Sequence, residues 1–407
     1  MEPLARGALQ GPLQGLRVIE ICSTIAGPVC ARLMADFGAD VIKIEPGEGD
    51  PGRQLGAHCG DVSLFAASIL RGKRSVVLDL KTPQGCEVAR ALIAQADILV
   101  ENNRPGVMER LGLGYAALSG VNPGLVMVRI SGYGQDGPYA ERPGYGVICE
   151  AVAGVRHMTG DPDRPPSRVS LATTDYLSAV YAAFGAVSAI HERSRSGRGQ
   201  VVDVALYEAA FSQMELHVPA YEKLGLVPTR TGMNVASAAP NSLYPTAGGG
   251  WVLIAVNNDA IFARLAAIMQ QPALLTDERY ATVRARGTAE NTHALNAIVA
   301  QWTGRFPAAE LEAKLREAEV PNARIYTMAD IFADPHYAAR GMLVAVPHPV
   351  LGATVQAGIV PKLSRTPGSI RNTGPDIGAD TLEVLKEAGL SDAQIEALIA
   401  KNVVKAS

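Results

Sequence analysis

The chain has 407 residues, of which 48% are hydrophobic and 19% charged, and its formal net charge is -3. This length suffices for two or three domains with large cores, and the near balance of charge excludes a bulk preference for nucleic acid. No apolar run approaches the roughly 18 residues of a membrane-spanning helix, and the start of the chain lacks the pattern of a secretory signal, so we expect a cytoplasmic protein.

Short apolar runs alternate with helical patterns over about the first 130 residues. The predicted strands are 16–21, 40–45, 76–80, 97–101 and 125–130, and the predicted helices cover about 28–37 and 84–95. Strands that are apolar on both faces are typical of a parallel sheet with helices on both sides. This part of the chain therefore predicts a doubly wound α/β domain.

The rest of the chain predicts a second unit and a return to helices. Residues 179–189, rich in Ala and Gly, predict a closely packed, buried helix, and the Pro, Gly and Asn residues of 223–241 mark a linker. LYPT, AGGG and WVLIAV then predict a hairpin, followed by helices near 259–270 and 289–318. Near the end, Gly389 is predicted to stop one helix and Ser391 to cap the next.

Several familiar motifs are absent or out of context. The five cysteines form no CxxC pair, and no His and Cys cluster has the spacing of a metal site, so we expect reduced, mostly buried thiols and no metal. Gly132 to Gly137 matches GxGxxG, but Pro138 follows at once, so no helix opens there to hold a dinucleotide. Gly248 to Gly250 lacks the Lys and Ser or Thr of a phosphate loop and is interpreted as a hairpin turn.

Longer segments resemble a known family. GPLQGLRVIEI, AGPVCARLMADFGADVIKIEPGEGDPGR, ADILVENNRPGVMERLGLGY and ISGYGQDGPY are similar to family III CoA-transferases and to the related α-methylacyl-CoA racemases. The resemblance implies an α/β fold with a Rossmann-like large domain built from both chain ends, a smaller central α+β domain and an interlinked homodimer. Combined with the linker, it predicts a large domain over 1–222, a small domain over 223–325 and a return to the large domain over 326–407.

Asp175 is the residue on which the predicted chemistry depends. By position alone, an Asp just before a helix is an N-cap. The resemblance adds a nucleophile, whose carboxylate attacks an acyl-CoA thioester to give an aspartyl anhydride and then an aspartyl-CoA thioester. No cofactor is expected to be permanently bound, because coenzyme A and acyl-CoA are substrates. The CoA-binding positions carried over by the resemblance are Ile25, Ala26, Lys81, Asn102, Asn103, Arg110 and Leu111.

Tyr145 separates the transferase from the racemase. In the racemases a histidine works opposite the aspartate, and the position falls here on Tyr145. A racemase needs two groups that exchange protons near neutral pH, and a tyrosine with an ordinary pKa near ~10 is a poor substitute. We therefore predict a CoA-transferase. A racemase-type isomerase is one alternative, and a non-catalytic acyl-CoA-binding paralogue is another.

The predicted reaction takes CoA from an acyl-CoA, succinyl-CoA in particular, to a short dicarboxylate such as glutarate, itaconate, mesaconate or malate. Carnitine-type and bile-acid-type acceptors stay open. Arg156, Arg168 and Asn241 are candidates for binding the second carboxylate. The loop 232–241 holds one glycine, which argues against oxalate as the acceptor. The segment from Ile44 to Gly47 lacks an arginine that some members of the family carry for contact with CoA. Arg53 or Arg74 is a candidate to supply that contact here.

Overall fold

The computed structural model describes residues 9–235 and 238–406, so the first eight residues and two residues of the predicted loop 232–241 lie outside the described part. Two compact units are present. Of the described residues, the first unit comprises those up to Val155, Val169–Leu226 and those from Tyr337, and the second comprises Arg156–Arg168 and those within Val227–His336. The second unit includes a short earlier segment that the division at 222 and 325 does not contain, and that division stays a prediction.

Strands and helices are named in chain order. The strands are β1 (Arg17–Ile21), β2 (Asp40–Glu45), β3 (His58–Cys59), β4 (Val62–Ser63), β5 (Lys73–Leu78), β6 (Ile98–Glu101), β7 (Val126–Ser131), β8 (Val201–Ala205), β9 (Asn241–Pro245), β10 (Trp251–Ala255), β11 (Asn322–Arg324), β12 (Leu343–His348), β13 (Gly352–Ala357) and β14 (Val404–Lys405). The helices are α1 (Ala26–Asp36), α2 (Leu64–Ile69), α3 (Pro83–Ala94), α4 (Val107–Arg110), α5 (Tyr115–Ser119), α6 (Gly146–Val152), α7 (Val155–Met158), α8 (Thr173–Ser196), α9 (Leu206–Phe211), α10 (His217–Leu224), α11 (Asp259–Ile268), α12 (Val283–Arg286), α13 (Ala289–Thr303), α14 (Ala308–Glu317), α15 (Met328–Ala333), α16 (Pro335–Ala339), α17 (Thr381–Glu387) and α18 (Asp392–Ala400).

The first unit is built on a sheet with the strand order β14-β5-β2-β1-β6-β7-β8. Every pair except β14 with β5 is parallel, so the predicted parallel sheet is confirmed. From β1 the chain proceeds outward through β2 and β5, and it then returns to the other side of β1 through β6, β7 and β8. In such sheets the direction of winding reverses at one point, and the crevice at the carboxyl ends of the two strands there is the usual ligand site. Here that point lies between β1 and β6.

Neighbouring residues of the strands point into two different cores. Val18 and Val100 lie in a cluster with residues of α1 and α8, whereas Ile19 and Leu99 lie in a cluster with residues of α3. Leu385 of the C-terminal α17 packs in the second cluster, which joins the chain end to the large sheet. The two covered faces explain why these strands are apolar at every position.

The second unit has its own sheet and core. Strands β9, β10 and β11 pair antiparallel, and the predicted hairpin at 248–250 is confirmed, with Gly248 and Gly249 at φ 87° and 88°. Hairpin turns with positive φ values favour glycine, so the turn explains these glycines and no bound phosphate is needed to account for them. The single helix predicted over 289–318 is wrong. It is two helices, α13 and α14, which residues 304–307 separate. Pro307 directly precedes α14, because proline cannot continue a helical hydrogen-bond ladder.

Helix α8 corrects a second expectation. It runs for 24 residues, and its buried side chains include Ala179, Ala182, Ala186 and Ala189, whose small size permits close packing. Its other face is apolar and exposed in this chain, with Phe184 72% exposed. The helix is therefore buried on one face only. The homodimer that the resemblance implies stays a prediction.

The predicted helix stop and helix cap near the end of the chain are both present. Gly389 has φ 89°, and Ser391 forms a capping box with Gln394 at the start of α18, as predicted. In the part of the chain that the structure describes, no helix combines the length and apolarity needed to cross a bilayer. Within the same residues, no three His, Cys, Asp or Glu side chains form a group that could hold a metal ion.

Candidate active site

The turns that follow β1 and β6 meet at the switch point of the sheet. Asn102 joins them: its side-chain oxygen accepts a hydrogen bond of 2.9 Å from the Ser23 backbone N–H, and its side-chain nitrogen donates one of 2.9 Å to the Ser23 carbonyl. Two opposite hydrogen bonds from one side chain fix the relative position of the two turns. Ile25 and Ala26, where α1 begins, are thereby held opposite Asn102.

A buried ion pair supports the second turn. The Glu101 carboxylate accepts the Asn103 backbone N–H at 2.7 Å and pairs with Arg129 Nε at 2.8 Å. Burial raises the pKa of Glu101, and the Arg129 guanidinium only partly offsets this effect. Arg129 also pairs with Glu109 on α4 at 2.8 Å, so the turn is tied both to β7 and to α4.

Asp175 lies in the first turn of α8, and its predicted N-cap position is wrong. The N-cap is Ala172, which makes no side-chain capping bond, and Asp175 is the third residue of the helix. The carboxylate is half-buried. Burial raises its pKa from 3.8 to about 6, and a hydrogen bond from its own backbone N–H lowers the pKa only in part. The pKa therefore lies close to neutral, where small changes in the surroundings alter the charge.

Glycines make room for this carboxylate. A Cβ added to Gly146, the first residue of α6, would overlap the Asp175 carboxylate. Nearby, Gly132 and Gly144 approach so closely that a Cβ on either would lie 2.9 Å from the Cα of the other. Gly132 is the first glycine of the GxGxxG match, so close backbone packing accounts for it without a nucleotide.

One cavity in the first unit brings together most of the predicted site. Asp175, Ile25, Ala26, Asn102 and Asn103 all line it. The other predicted CoA positions do not. Lys81 is exposed, Arg110 is exposed at the end of α4, and Leu111 packs against the second core cluster. The structure therefore divides the predicted residues into a group around the Asp175 carboxylate and a group outside this cavity.

Two arginines in the cavity lining were missed by the sequence interpretation, namely Arg104 and Arg142. The guanidinium of Arg142 stacks over the Tyr139 ring, 3.5 Å from its centroid. Among the described residues, neither arginine has a carboxylate within ion-pair distance. Both occur beside Pro in turns, a signal too common to single them out. Arg156, Arg168 and Asn241, proposed for the same task, belong to the second unit.

Tyr145 also lines the cavity and is 72% exposed, and no histidine belongs to the described lining. Arg53 and Arg74, the candidates for a missing CoA contact, are already engaged in ion pairs. Arg53 pairs with Glu45 at 2.6 Å, and Arg74 pairs with Glu387 at 3.0 Å. Their side chains stabilise the domain, so a second task for them in CoA binding would compete with these contacts.

Comparisons with known proteins agree on one family. The sequence model of CoA-transferase family III matches residues 13–381. The succinyl-CoA–D-citramalate CoA-transferase of Chloroflexus aurantiacus is 44% identical over 396 residues, which cover 97% of this chain and 98% of the relative. The succinyl-CoA–L-malate CoA-transferase beta subunit of the same organism is 42% identical, covering 97% and 98%. A crystal structure of a CAIB/BAIF family protein from Brucella suis matches with a TM-score of 0.83 at 32% identity, covering 93% of this chain and all of that one.

Replacing Asp175 with Asn removes the titrating carboxylate but keeps its shape. The pKa is 3.8 in the unfolded chain and about 6 in the folded one, so the folded protein is destabilised fully above pH 6, and this cost disappears as the pH falls below 4. We expect the stability advantage of Asp175→Asn over wild type to be about 2 kcal/mol larger at about pH 7.5 than at about pH 4.5. Urea unfolding of both proteins at both pH values measures it.

The control is Asp61→Asn, since Asp61 is exposed. Its effect on stability should change little between the two pH values. An equal change for both variants would contradict the raised pKa of Asp175.

Proposed function

The chain belongs to CoA-transferase family III, and we propose that it transfers CoA from succinyl-CoA to a short dicarboxylate through a covalent intermediate on Asp175. The observation that carries the proposal is the half-buried Asp175 carboxylate in a cavity that also presents two arginines, neither of which has a carboxylate partner among the residues that the structure describes. The names of the relatives support the donor and the acceptor class, since they pair succinyl-CoA with citramalate and with malate.

In the proposed reaction, the Asp175 carboxylate attacks the thioester carbonyl carbon, the C–S bond breaks and CoA leaves as a thiolate. The thiolate then attacks the aspartyl carbonyl of the anhydride, which releases succinate and leaves an aspartyl-CoA thioester. The acceptor carboxylate attacks this thioester, and the returning thiolate takes up the new acyl group and frees Asp175. No net proton or redox change occurs, and thioester bond energy is conserved.

The raised pKa of Asp175 supports this role. With a pKa of about 6, the carboxylate is mostly ionised at neutral pH, yet it is more basic than an exposed Asp. A more basic carboxylate is a better nucleophile as long as it is ionised. The first N–H groups of α1, which begins at Ala26 beside the cavity, have no partners within the helix and are suited to stabilise a developing oxyanion.

Arg142 is the proposed partner of the distal carboxylate of the acid. Its stacking on Tyr139 uses the face of the guanidinium and leaves the in-plane N–H donors for a bidentate contact with a carboxylate. Stacking also restricts the long side chain before the acid binds, which lowers the entropic cost of the contact. A monocarboxylate of the same length would leave these donors unpaired.

The central test incubates the purified protein with succinyl-CoA and, separately, malate, citramalate, glutarate, itaconate, mesaconate and valerate. We expect new CoA esters of one or more dicarboxylates, identified by chromatography, and a CoA adduct on the wild-type protein by intact-mass analysis. Asp175→Ala should give neither product nor adduct while still binding CoA. Retained turnover in Asp175→Ala would refute the nucleophile, and transfer to no dicarboxylate would refute the acceptor class.

Gly146→Ala tests the placement of the carboxylate without changing the nucleophile. The added methyl group would overlap the Asp175 carboxylate and force it to rotate away. We expect adduct formation to slow on the order of 100-fold, because small displacements of a reacting group have effects of this size. Gly120→Ala is the matched control, since its Cβ would lie 3.6 Å from the nearest atom. Similar rates in the two variants would contradict the proposed geometry.

Arg142→Gln tests recognition of the distal carboxylate. At saturating donor, the ratio of kcat/KM for glutarate to that for valerate should fall by roughly 10- to 100-fold, because the loss of a charge-assisted hydrogen-bonded pair changes binding by about this factor. Arg142→Lys should retain part of the selectivity. Arg195→Gln, an exposed arginine in the last turn of α8, should leave the ratio unchanged. An unchanged ratio in Arg142→Gln would assign the distal carboxylate to another residue.

A further inference from the structure

Four charged side chains are buried beneath the turn that follows β1. They are Glu20 on β1, Lys43 on β2, Lys73 on β5 and Asp50 in the loop after β2, and each is at most 3% exposed. Lys43 Nζ lies 2.9 Å from Glu20 Oε1 and 2.6 Å from Asp50 Oδ2, while Lys73 Nζ lies 2.6 Å from Glu20 Oε2. We call these four residues the buried charge network. Its two cations balance its two anions.

The network ends at the cavity. Asp50 Oδ1 accepts hydrogen bonds from the backbone N–H of Thr24 at 2.9 Å and from that of Gly52 at 2.7 Å. Lys43 Nζ donates to the Cys22 carbonyl at 2.8 Å. One lysine and one aspartate therefore hold the turn from both sides of Ser23. The residues of this turn, from Ser23 to Ala26, line the same cavity as Asp175.

Thr24 shows that the turn needs such support. Its φ is 72°, in the left-handed region that a β-branched residue rarely adopts. A conformation of this kind persists only where surrounding contacts enforce it, and such residues concentrate at functional sites. The hydrogen bond from the Thr24 N–H to Asp50 is a contact that enforces it here.

The cost of burying these charges argues that they do more than fill the core. Burial disfavours the ammonium of Lys43, yet the carboxylates of Glu20 and Asp50 outweigh burial and hold the Lys43 pKa above its ordinary value. Burial also acts against the Asp50 carboxylate, and Lys43 with the backbone N–H groups holds the Asp50 pKa below its ordinary value. Well-packed apolar residues often match or exceed the stability of a buried ion pair. Apolar residues cannot supply a carboxylate that accepts hydrogen bonds from two backbone N–H groups.

We propose that Lys43 and Asp50 are positioning residues for CoA transfer, which hold the Ser23 to Ala26 turn in the conformation that places its backbone against the reacting thioester. Neither side chain lines the cavity, so each acts through the turn. The inference rests on the proposed function for its kinetic test only. Its structural claim, that Asp50 enforces the conformation of Thr24, is tested separately.

The test compares Asp50→Ala and Asp50→Asn with wild type. Ala removes the ion pair and both backbone acceptors, whereas Asn keeps an oxygen that can accept the two N–H groups and loses the charge. We expect the CoA adduct on Asp175 to form roughly 10- to 100-fold more slowly in Asp50→Ala, with Asp50→Asn between it and wild type. Amide hydrogen exchange of a peptide spanning 22–26 should accelerate by at least about tenfold in Asp50→Ala.

Asp36→Ala is the matched control for lost stability. Asp36 is 1% exposed and pairs with the buried Arg71 at 2.8 Å, at the far end of α1 from the turn. Circular dichroism and thermal melts establish that all variants are folded at the assay temperature. Asp36→Ala should lower the melting temperature without changing the adduct rate or the exchange of peptide 22–26.

The outcomes separate the two proposals. A folded Asp50→Ala that forms the adduct at the wild-type rate overturns the positioning role. Equal slowing in Asp50→Ala and Asp36→Ala also overturns it, because the effect would then be general destabilisation. If wild type forms no adduct with any acyl-CoA, the proposed function fails, while the exchange of peptide 22–26 still decides whether Asp50 holds the turn.

Discussion

The charged form of Asp175 loses water when α8 packs beside Gly146, and among the described residues no ion pair replaces that water. The carboxylate becomes more basic, with a pKa of about 6, and the folded state bears the free-energy cost. The helix that carries this carboxylate is 24 residues long and packs on the sheet and on α1 through its alanine face. Desolvation thus weakens the fold at the residue that we propose as the nucleophile, and it makes that carboxylate more basic, a relation common to functional sites.

The rest of the cavity depends on two turns that contain little regular structure of their own. Each turn lies above a buried set of charges: Glu101 and Arg129 hold the turn after β6, and Lys43 and Asp50 hold the turn after β1. In both sets a carboxylate accepts backbone N–H groups that no strand or helix satisfies. The two turns are then joined by Asn102. Rigid support of this kind holds loop residues in position as precisely as residues at the edge of a sheet.

Most of the fold could be predicted from the sequence, because the two faces of the sheet are both covered and the strands are therefore continuously apolar. The errors occurred where tertiary packing decides. The apolar composition of 179–189 does not distinguish a helix buried all round from α8, which has one exposed apolar face in this chain. The membership of 156–168 in the second unit also depends on contacts distant in sequence, which no local pattern records, while the predicted domain boundaries stay a prediction.

By itself, the sequence determined the family, because segments along nearly the whole chain resemble it. Through that resemblance it also predicted the role of Asp175 and the positions Ile25, Ala26, Asn102 and Asn103, the last four of which follow predicted strands. Tertiary structure alone decided that Asp175 lies in the first turn of α8 rather than at its cap, and that Gly146 leaves space for it. It also brought Arg142 into the cavity and placed Lys43 and Asp50 beneath it. The physical reason is that burial and close approach arise only when chain segments distant in sequence meet in space. The shift of a pKa by burial, or a steric overlap with a neighbouring residue, does not exist before they meet.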